Sequence, residues 1–140
     1  MPMIDVTART GTFADKPALL KQLTAAMMQW EQVPPIAMFI DNTAAFIHEL
    51  AADAFGDSRG AADHVRIDVL TPAGVLDRDK KLGVTAALTD IVVAAAGDPA
   101  LRGRVWVLIA ETPDGGWGVG GHAYTNAEIA AEARRQLGRP

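Results

Sequence analysis

Two copies of one strand-helix-strand pattern run through this sequence. Three segments of the first half return in the same order in the second: Met3–Val6 as Arg66–Val69, Leu23–Met27 as Val84–Leu88, and Met38–Ile40 as Val107–Ile109. Because strands joined by a crossover helix run parallel, each half is predicted to be a βαβ unit. Two such units bury their apolar faces best as one layer of four strands under two helices, which predicts an α+β fold.

In the first unit, the alternation of residues 3–7 predicts a strand. Thr12 followed by Asp15 resembles a capping box and predicts a helix start, with Pro17 in the first helical turn. Pro34-Pro35 ends this helix, and Ile36–Ile40 is predicted to be the second strand. The buried face of the helix is predicted to consist of Leu19, Leu20, Leu23, Met27 and Trp30.

In the second unit, the same reasoning predicts strands at Val65–Leu70 and Arg104–Ala110, with a helix over Asp77–Ala96 between them. Gly97 is predicted to end that helix. A short final helix is predicted over Asn126–Leu137. The chain is therefore predicted to be a single domain over residues 1–140, with repeats at about 2–50 and 64–126 and an Ala-, Asp- and Gly-rich linker at 51–63.

Composition narrows the classes of function. The chain has 140 residues, 49% of them apolar, which is enough for one globular core. Its net charge of −4 argues against nucleic acid as a partner. It has no apolar run long enough for a membrane span and no basic, apolar leader, so a cytoplasmic location is expected. Without cysteine, and with three histidines that form no close pair, no metal site is expected.

Two motif matches are interpreted as coincidental. Gly56–Gly60 fits the G-x-S-x-G nucleophile elbow around Ser58, the one serine of the chain, but it lies in the polar linker rather than between a buried strand and a helix. Gly116, Gly118 and Gly121 fit G-x-G-x-x-G, but the second strand and acidic residue of a dinucleotide site do not follow before residue 140.

Pro2 is the residue with the most distinctive chemistry. It precedes the first predicted strand, and removal of Met1 would give it a free secondary amine. Burial or a nearby cation disfavours the charged form of such an amine and lowers its pKa, which makes it a usable general base near neutral pH. The structural alternative is that a Met-Pro start has no catalytic meaning.

Together these features resemble the tautomerase superfamily, which includes 4-oxalocrotonate tautomerase, macrophage migration inhibitory factor, malonate semialdehyde decarboxylase and the chloroacrylate dehalogenases. The matching features are Met1-Pro2 leading into a strand, the tandem βαβ halves, and the glycine-rich Gly115–Gly121 after a strand. The resemblance covers residues 2 to 126 and fits the fused subfamily, in which one chain carries two units. It implies a four-stranded mixed sheet with two helices on one face and a homotrimer.

The resemblance also implies roles for individual residues. Pro2 would be the catalytic amine, and Val65, which aligns with it, is internal and has no free amine. Arg9 would bind a substrate carboxylate, unless it is a solvated loop arginine. Trp117 would line the pocket, or else pack in the core or an interface. His122 or Tyr124 would donate a hydrogen bond to an enolate oxygen.

The sequence departs from the decarboxylases and dehalogenases, because the loop Thr71–Leu76 has no arginine and Met27-Met28 stand where one dehalogenase branch has a histidine. The prediction is therefore a cofactor-independent tautomerase, an isomerase that acts on a small α-keto or enol acid. Two alternatives stay open. One is a Pro2-dependent hydratase, dehalogenase or decarboxylase. The other is a non-catalytic trimeric binding protein of the same fold.

Overall fold

A computed structural model describes residues 1–139 of the chain. Its strands are β1 (Met3–Arg9), β2 (Ala44–Leu50), β3 (Gly56–Asp57), β4 (Gly60–Ala61), β5 (Val65–Pro72), β6 (Val105–Thr112), β7 (Trp117–Val119) and β8 (His122–Tyr124). Its α-helices are α1 (Lys16–Glu31), α2 (Ala37–Asp41), α3 (Arg78–Ala96) and α4 (Asn126–Gln136), and a 3₁₀ turn spans Pro99–Arg104.

The predicted four-stranded mixed sheet is confirmed, and its strand order is β2-β1-β5-β6. The pairs β1–β2 and β5–β6 are parallel, while the central pair β1–β5 is antiparallel. The two βαβ units therefore meet through their first strands and run in opposite directions. As a result, the start of β1 and the start of β5 lie at opposite ends of the sheet.

The core fills the space between one face of the sheet and the helices α1 and α3. Alternate residues of each central strand point into it, as the period of two requires, and residues four apart on each helix meet them. The buried strand residues are Ile4, Val6, Ala8, Val65, Ile67 and Val69, and the buried helix residues are Leu19, Leu23, Met27, Val84, Leu88 and Val92.

The predicted strand at Ile36–Ile40 is wrong, because this segment forms helix α2 and the second strand is Ala44–Leu50. A short apolar run bounded by prolines does not distinguish a strand from a helical turn. The register shows the true repeat: Met3 pairs with Ala44 as Arg66 pairs with Trp106. The counterpart of Val107–Ile109 is therefore 45–47 rather than Met38–Ile40.

The structure corrects the predicted start of α1 and confirms the predicted limits of α3. Helix α1 is capped by Asp15, whose carboxylate accepts from the Ala18 amide at 3.0 Å, whereas the Thr12 hydroxyl donates to the Arg9 carbonyl. Thr12 is therefore not the cap, since its hydroxyl closes the turn before the helix. The predicted limits of α3 are confirmed: Asp77 accepts from the Lys80 amide, and Gly97 ends the helix in the left-handed conformation.

Two small hairpins lie outside the main sheet. The predicted linker contains β3 and β4, with Ser58 exposed in the turn between them. The glycine-rich segment forms β7 and β8, joined by Gly120 and Gly121. Both of these glycines have positive φ, as a two-residue type I′ turn requires. The serine is therefore on a surface turn rather than at a nucleophile elbow.

The sheet face away from α1 and α3 carries large apolar side chains that no element of residues 1–139 covers. The exposed fractions are 52% for Leu108, 48% for Phe46, 41% for Trp106 and 38% for Leu70. Asp5 and Asp68 lie between Phe46 and Leu108 across the sheet, so polar groups separate the exposed apolar side chains of this face.

We expect Gly83→Ala to destabilise the fold. Gly83 lies inside α3, where a Cβ atom would overlap the Trp30 ring of α1. Overpacking of a core costs about 1–3 kcal/mol, which outweighs the roughly 1 kcal/mol that Ala gains over Gly in a helix. Chemical denaturation would measure the change. Gly103→Ala is the control, because a Cβ there meets nothing within 4 Å; equal stability of the two variants would contradict the packing.

Candidate functional site

Pro2 lies at the edge of the sheet, directly before β1, and its side chain is buried. Its carbonyl accepts a hydrogen bond from the Ala44 amide at 3.1 Å, which continues the β1–β2 ladder by one residue. Two strands therefore fix the backbone of Pro2. In the chain that begins with Met1, the Pro2 nitrogen is a tertiary amide and has no basic lone pair.

The Met1 amine makes a buried ion pair with Glu31. The nitrogen lies 2.8 Å from Oε2 of Glu31, and the two groups are 1% and 0% exposed. Oε1 of the same carboxylate accepts from the Thr71 hydroxyl at 2.6 Å. A buried charge is tolerated only when it is paired and hydrogen-bonded, and the amine and the hydroxyl together meet this requirement for Glu31.

Apolar side chains close around Met1 on the other sides. Met1 is 2% exposed and packs in a cluster separate from the main core, with Met38, Phe39, Trp117 and Ala133. These residues come from α2, the β7–β8 hairpin and α4. The glycine-rich hairpin therefore reaches the start of β1, and Trp117 is buried beside Met1.

Two cavities border Met1. One has a volume of about 310 Å³ and is lined by Met1, Glu31, Ile129 and the loop 72–75. The other has a volume of about 230 Å³ and is lined by Met1, Met38, Asn42, Tyr124 and Gln136, among others. The walls of both cavities therefore include Met1.

Tyr124 lines one of the two cavities at Met1, whereas His122 lines neither of them and is exposed. Tyr124 lines the smaller cavity, and its ring meets that of His122 edge to face at 4.6 Å. The exposed His122 ring lies 3.2 Å from Glu128. The pKa of the Glu128 carboxyl is held below its usual range because two groups of Thr125 donate hydrogen bonds to its ionised form. The backbone amide has the larger effect and the hydroxyl the smaller one. Thr125 and Glu128 together form the capping box at the start of α4.

Arg9 lies at the other end of β1 from Pro2. Seven residue-to-residue steps along the strand separate them, about 23 Å at roughly 3.3 Å per step. Its guanidinium donates to the carbonyls of Ala52 and Ala62, at 3.2 and 3.0 Å. Within one chain, Arg9 is therefore not beside Pro2.

The predictions missed Glu31 and Thr71, although the sequence carries a signal for both. Glu31 continues the four-residue series Leu19, Leu23, Met27 on the buried face of α1. Thr71 continues the two-residue series of buried positions along β5. A polar residue in an apolar series indicates a buried polar group that needs a partner.

Two further features bear on the class of site. Among residues 1–139, no group of His, Asp and Glu side chains is arranged to hold a metal ion. In the same part of the chain, no helix has the length and apolar character that crossing a membrane requires.

The fold agrees with that of known proteins. Residues 64–127 match the family model Tautomerase, described as tautomerase enzyme. No curated protein matches the sequence. The second of the two repeats therefore matches the tautomerase family, and the whole chain has the fold of the fused 4-OT proteins.

Three solved structures illustrate the likeness, each with a TM-score of 0.75. The Q0 fused 4-OT, a symmetric trimer, is 23% identical, and the match covers 91% of this chain and 98% of that one. Pt0534 inactivated by 2-oxo-3-pentynoate is 20% identical, with 89% and 97% covered. N1, a member of the cis-3-chloroacrylic acid dehalogenase family, is 20% identical, with 93% and 88% covered.

Proposed function

We propose that the chain is a cofactor-independent tautomerase in which the amine of Pro2, freed by removal of Met1, transfers a proton within a small α-keto or enol acid. The observation that carries this proposal is the burial of Met1 between Pro2, Glu31 and Trp117. Loss of Met1 would empty that space, which both cavities border. The Pro2 amine would then face the resulting pocket.

The surroundings support proton transfer by this amine. The apolar walls from Phe39 and Trp117 disfavour its charged form, which lowers its pKa toward the range of a general base. Tyr124 offers a hydroxyl at the same pocket and would stabilise an enolate oxygen. His122 would reach the substrate only if its exposed side chain turned inward. The inactivation of Pt0534 by a 2-oxo acid supports an α-keto acid as the substrate class.

A homotrimer would cover the open face of the sheet. Leu108, Phe46 and Leu70 are exposed apolar side chains on this face, and two fused 4-OT neighbours are trimers.

We expect Leu108→Asp to dissociate the trimer. A carboxylate in place of Leu108 would lose its hydration in the interface and would lie beside Asp68 of the neighbouring strand, and both effects are unfavourable. Light scattering coupled to size exclusion would show the mass of three chains for the unmodified protein and a smaller assembly for the variant. Lys21→Asp, on the exposed side of α1, is the control. A protein that is a monomer before substitution would contradict the proposal.

Glu31 favours a second candidate function. After removal of Met1, the carboxylate would face the Pro2 amine, whose Cα lies about 3.8 Å along the chain from that of Met1. A nearby negative charge favours the protonated amine, which acts as a general acid. A hydratase, dehalogenase or decarboxylase of a small unsaturated or β-keto acid uses such an acid. The fold shared with N1 is consistent with this candidate.

One comparison of substrates tests the proposed function. Protein shown by mass spectrometry to lack Met1 would be assayed for ketonisation of phenylenolpyruvate, for hydrolysis of 3-chloroacrylate and for decarboxylation of malonate semialdehyde. The proposal predicts that kcat/KM is highest for the enol. A higher value for either other substrate would replace it with the second candidate, and the absence of all three activities would leave a binding protein.

A further inference from the structure

A third cavity lies at the opposite end of the sheet from Met1. It has a volume of about 310 Å³ and forms where β1 ends, β5 begins and the β3–β4 hairpin folds back. The side chains that give it chemical character are Arg9, Phe55, Asp63, His64, Arg66 and Trp106. None of these residues borders either cavity at Met1.

The internal repeat explains where this cavity is. Met3 in β1 corresponds to Arg66 in β5, so Met1-Pro2 corresponds to His64-Val65. The cavity is therefore the second unit's counterpart of the site at Pro2. In the second unit, His64 stands at the position of Met1, and Val65 stands at the position of Pro2. Val65 lies inside the chain and has no free amine. The second unit thus keeps a pocket without the amine.

One wall of the cavity is aromatic. The His64 ring stacks on Trp106, with centroids 4.5 Å apart and planes at 16°. Phe55 meets both rings at an angle, 5.6 Å from His64 and 6.1 Å from Trp106. Such a wall accepts a flat apolar or aromatic group by offset or edge contact.

The polar groups of the cavity leave hydrogen-bonding capacity open. Arg9 uses Nη2 for the carbonyls of Ala52 and Ala62 and forms no ion pair with any of residues 1–139. Nδ1 of His64 is buried and has no hydrogen-bond partner in that same range. Arg66, by contrast, is paired with Asp68, and Asp63 with Arg104. Arg9 is therefore a cation that lines the cavity and has no ion-pair partner among residues 1–139.

We propose that this cavity is a second ligand site, which binds a small aromatic carboxylate. The carboxylate would lie against the Nε and Nη1 groups of Arg9, and the ring would lie along Phe55 and Trp106. A guanidinium binds a carboxylate by charge-assisted hydrogen bonds. The volume suits a ligand of about a dozen heavy atoms, at the lower end of the usual range for ligand pockets. This site is independent of the proposed chemistry at Pro2.

Calorimetric titration with 3-phenylpropanoate tests the proposal. We expect saturable binding to the unmodified protein, weakened by roughly tenfold or more when Arg9→Gln removes the charge. Ala54→Phe adds a ring to the cavity lining without touching Arg9 and is expected to block binding as well. Ala51→Phe, in the same loop but outside the lining, is the matched control and should bind as the unmodified protein does.

The neutral analogue 3-phenylpropan-1-ol is expected to bind roughly tenfold or more weakly, because it lacks the anion that Arg9 would pair with. Equal binding of the alcohol would overturn the assignment to a carboxylate. Binding that Ala54→Phe leaves unchanged would place the ligand elsewhere, including at Pro2. The absence of saturable binding would overturn the proposal altogether.

Discussion

Replacement of Pro2 by alanine is expected to lower kcat/KM for phenylenolpyruvate ketonisation by roughly 10²- to 10⁴-fold, the usual contribution of a positioned general acid or base. Alanine leaves a primary amine with a different basicity and geometry, and it also removes the ring that fixes φ before β1. The loss should appear mainly in kcat, because the pocket walls from Phe39 and Trp117 are unchanged.

Pro17→Ala is the matched control, since it changes a proline in the exposed first turn of α1, away from the pocket. Both variants must be shown to lack Met1, because a retained methionine would silence either protein. Full activity of Pro2→Ala would remove the amine from the mechanism. Equal losses in both variants would indicate a structural effect rather than a catalytic one.

Replacement of Glu31 by glutamine is expected to move the pH profile of kcat/KM to lower pH by about one unit or more, as the loss of a carboxylate beside an amine requires. Glu31 favours the protonated form of the Pro2 amine, so neutralising it lowers the pKa of that amine. Glutamine keeps the size of the side chain, and its amide can still accept from the Thr71 hydroxyl.

The sign of the change in activity separates the two candidate functions. A general base works deprotonated, so its activity rises with pH, and a lower amine pKa increases activity on the acid side. A general acid works protonated, so its activity falls with rising pH, and the same substitution reduces activity near neutral pH. Each unit of displacement is about tenfold in rate on the affected limb.

Glu49→Gln is the control for this experiment, because Glu49 pairs with Lys16 on the surface. It should leave the pH profile unchanged. A Glu31→Gln profile that coincides with that of the unmodified protein would show that the carboxylate does not act on the catalytic amine.

Much of the fold follows from the sequence because the core positions keep strict periods. Leu19, Leu23 and Met27 recur every four residues on α1, and the apolar positions of β5 recur every two. Asp77 and Gly97 mark the ends of α3 through side-chain capping and positive φ, which are local effects. Ile36–Ile40 could not be assigned in this way, since five apolar residues between breakers satisfy either period.

The site was less accessible to sequence reasoning because its parts meet only in the folded chain. The interpretation of Pro2 and Trp117 came from the resemblance, and the structure brings both to Met1. Arg9 is next to the linker hairpin in its own chain, a contact between residues 43 and 53 positions apart that no local pattern encodes. Glu31 and Thr71 were visible only as polar residues in apolar series.

The most direct test of the account is a comparison of two forms of the same chain, one with Met1 removed and one with Met1 retained by inhibiting methionine aminopeptidase during expression. Both would be assayed for phenylenolpyruvate ketonisation after their N-terminal peptides are verified by mass spectrometry. The account predicts activity in the processed form and a loss of roughly 10²-fold or more in the form whose Pro2 nitrogen is an amide. Equal activity in the two forms would contradict it.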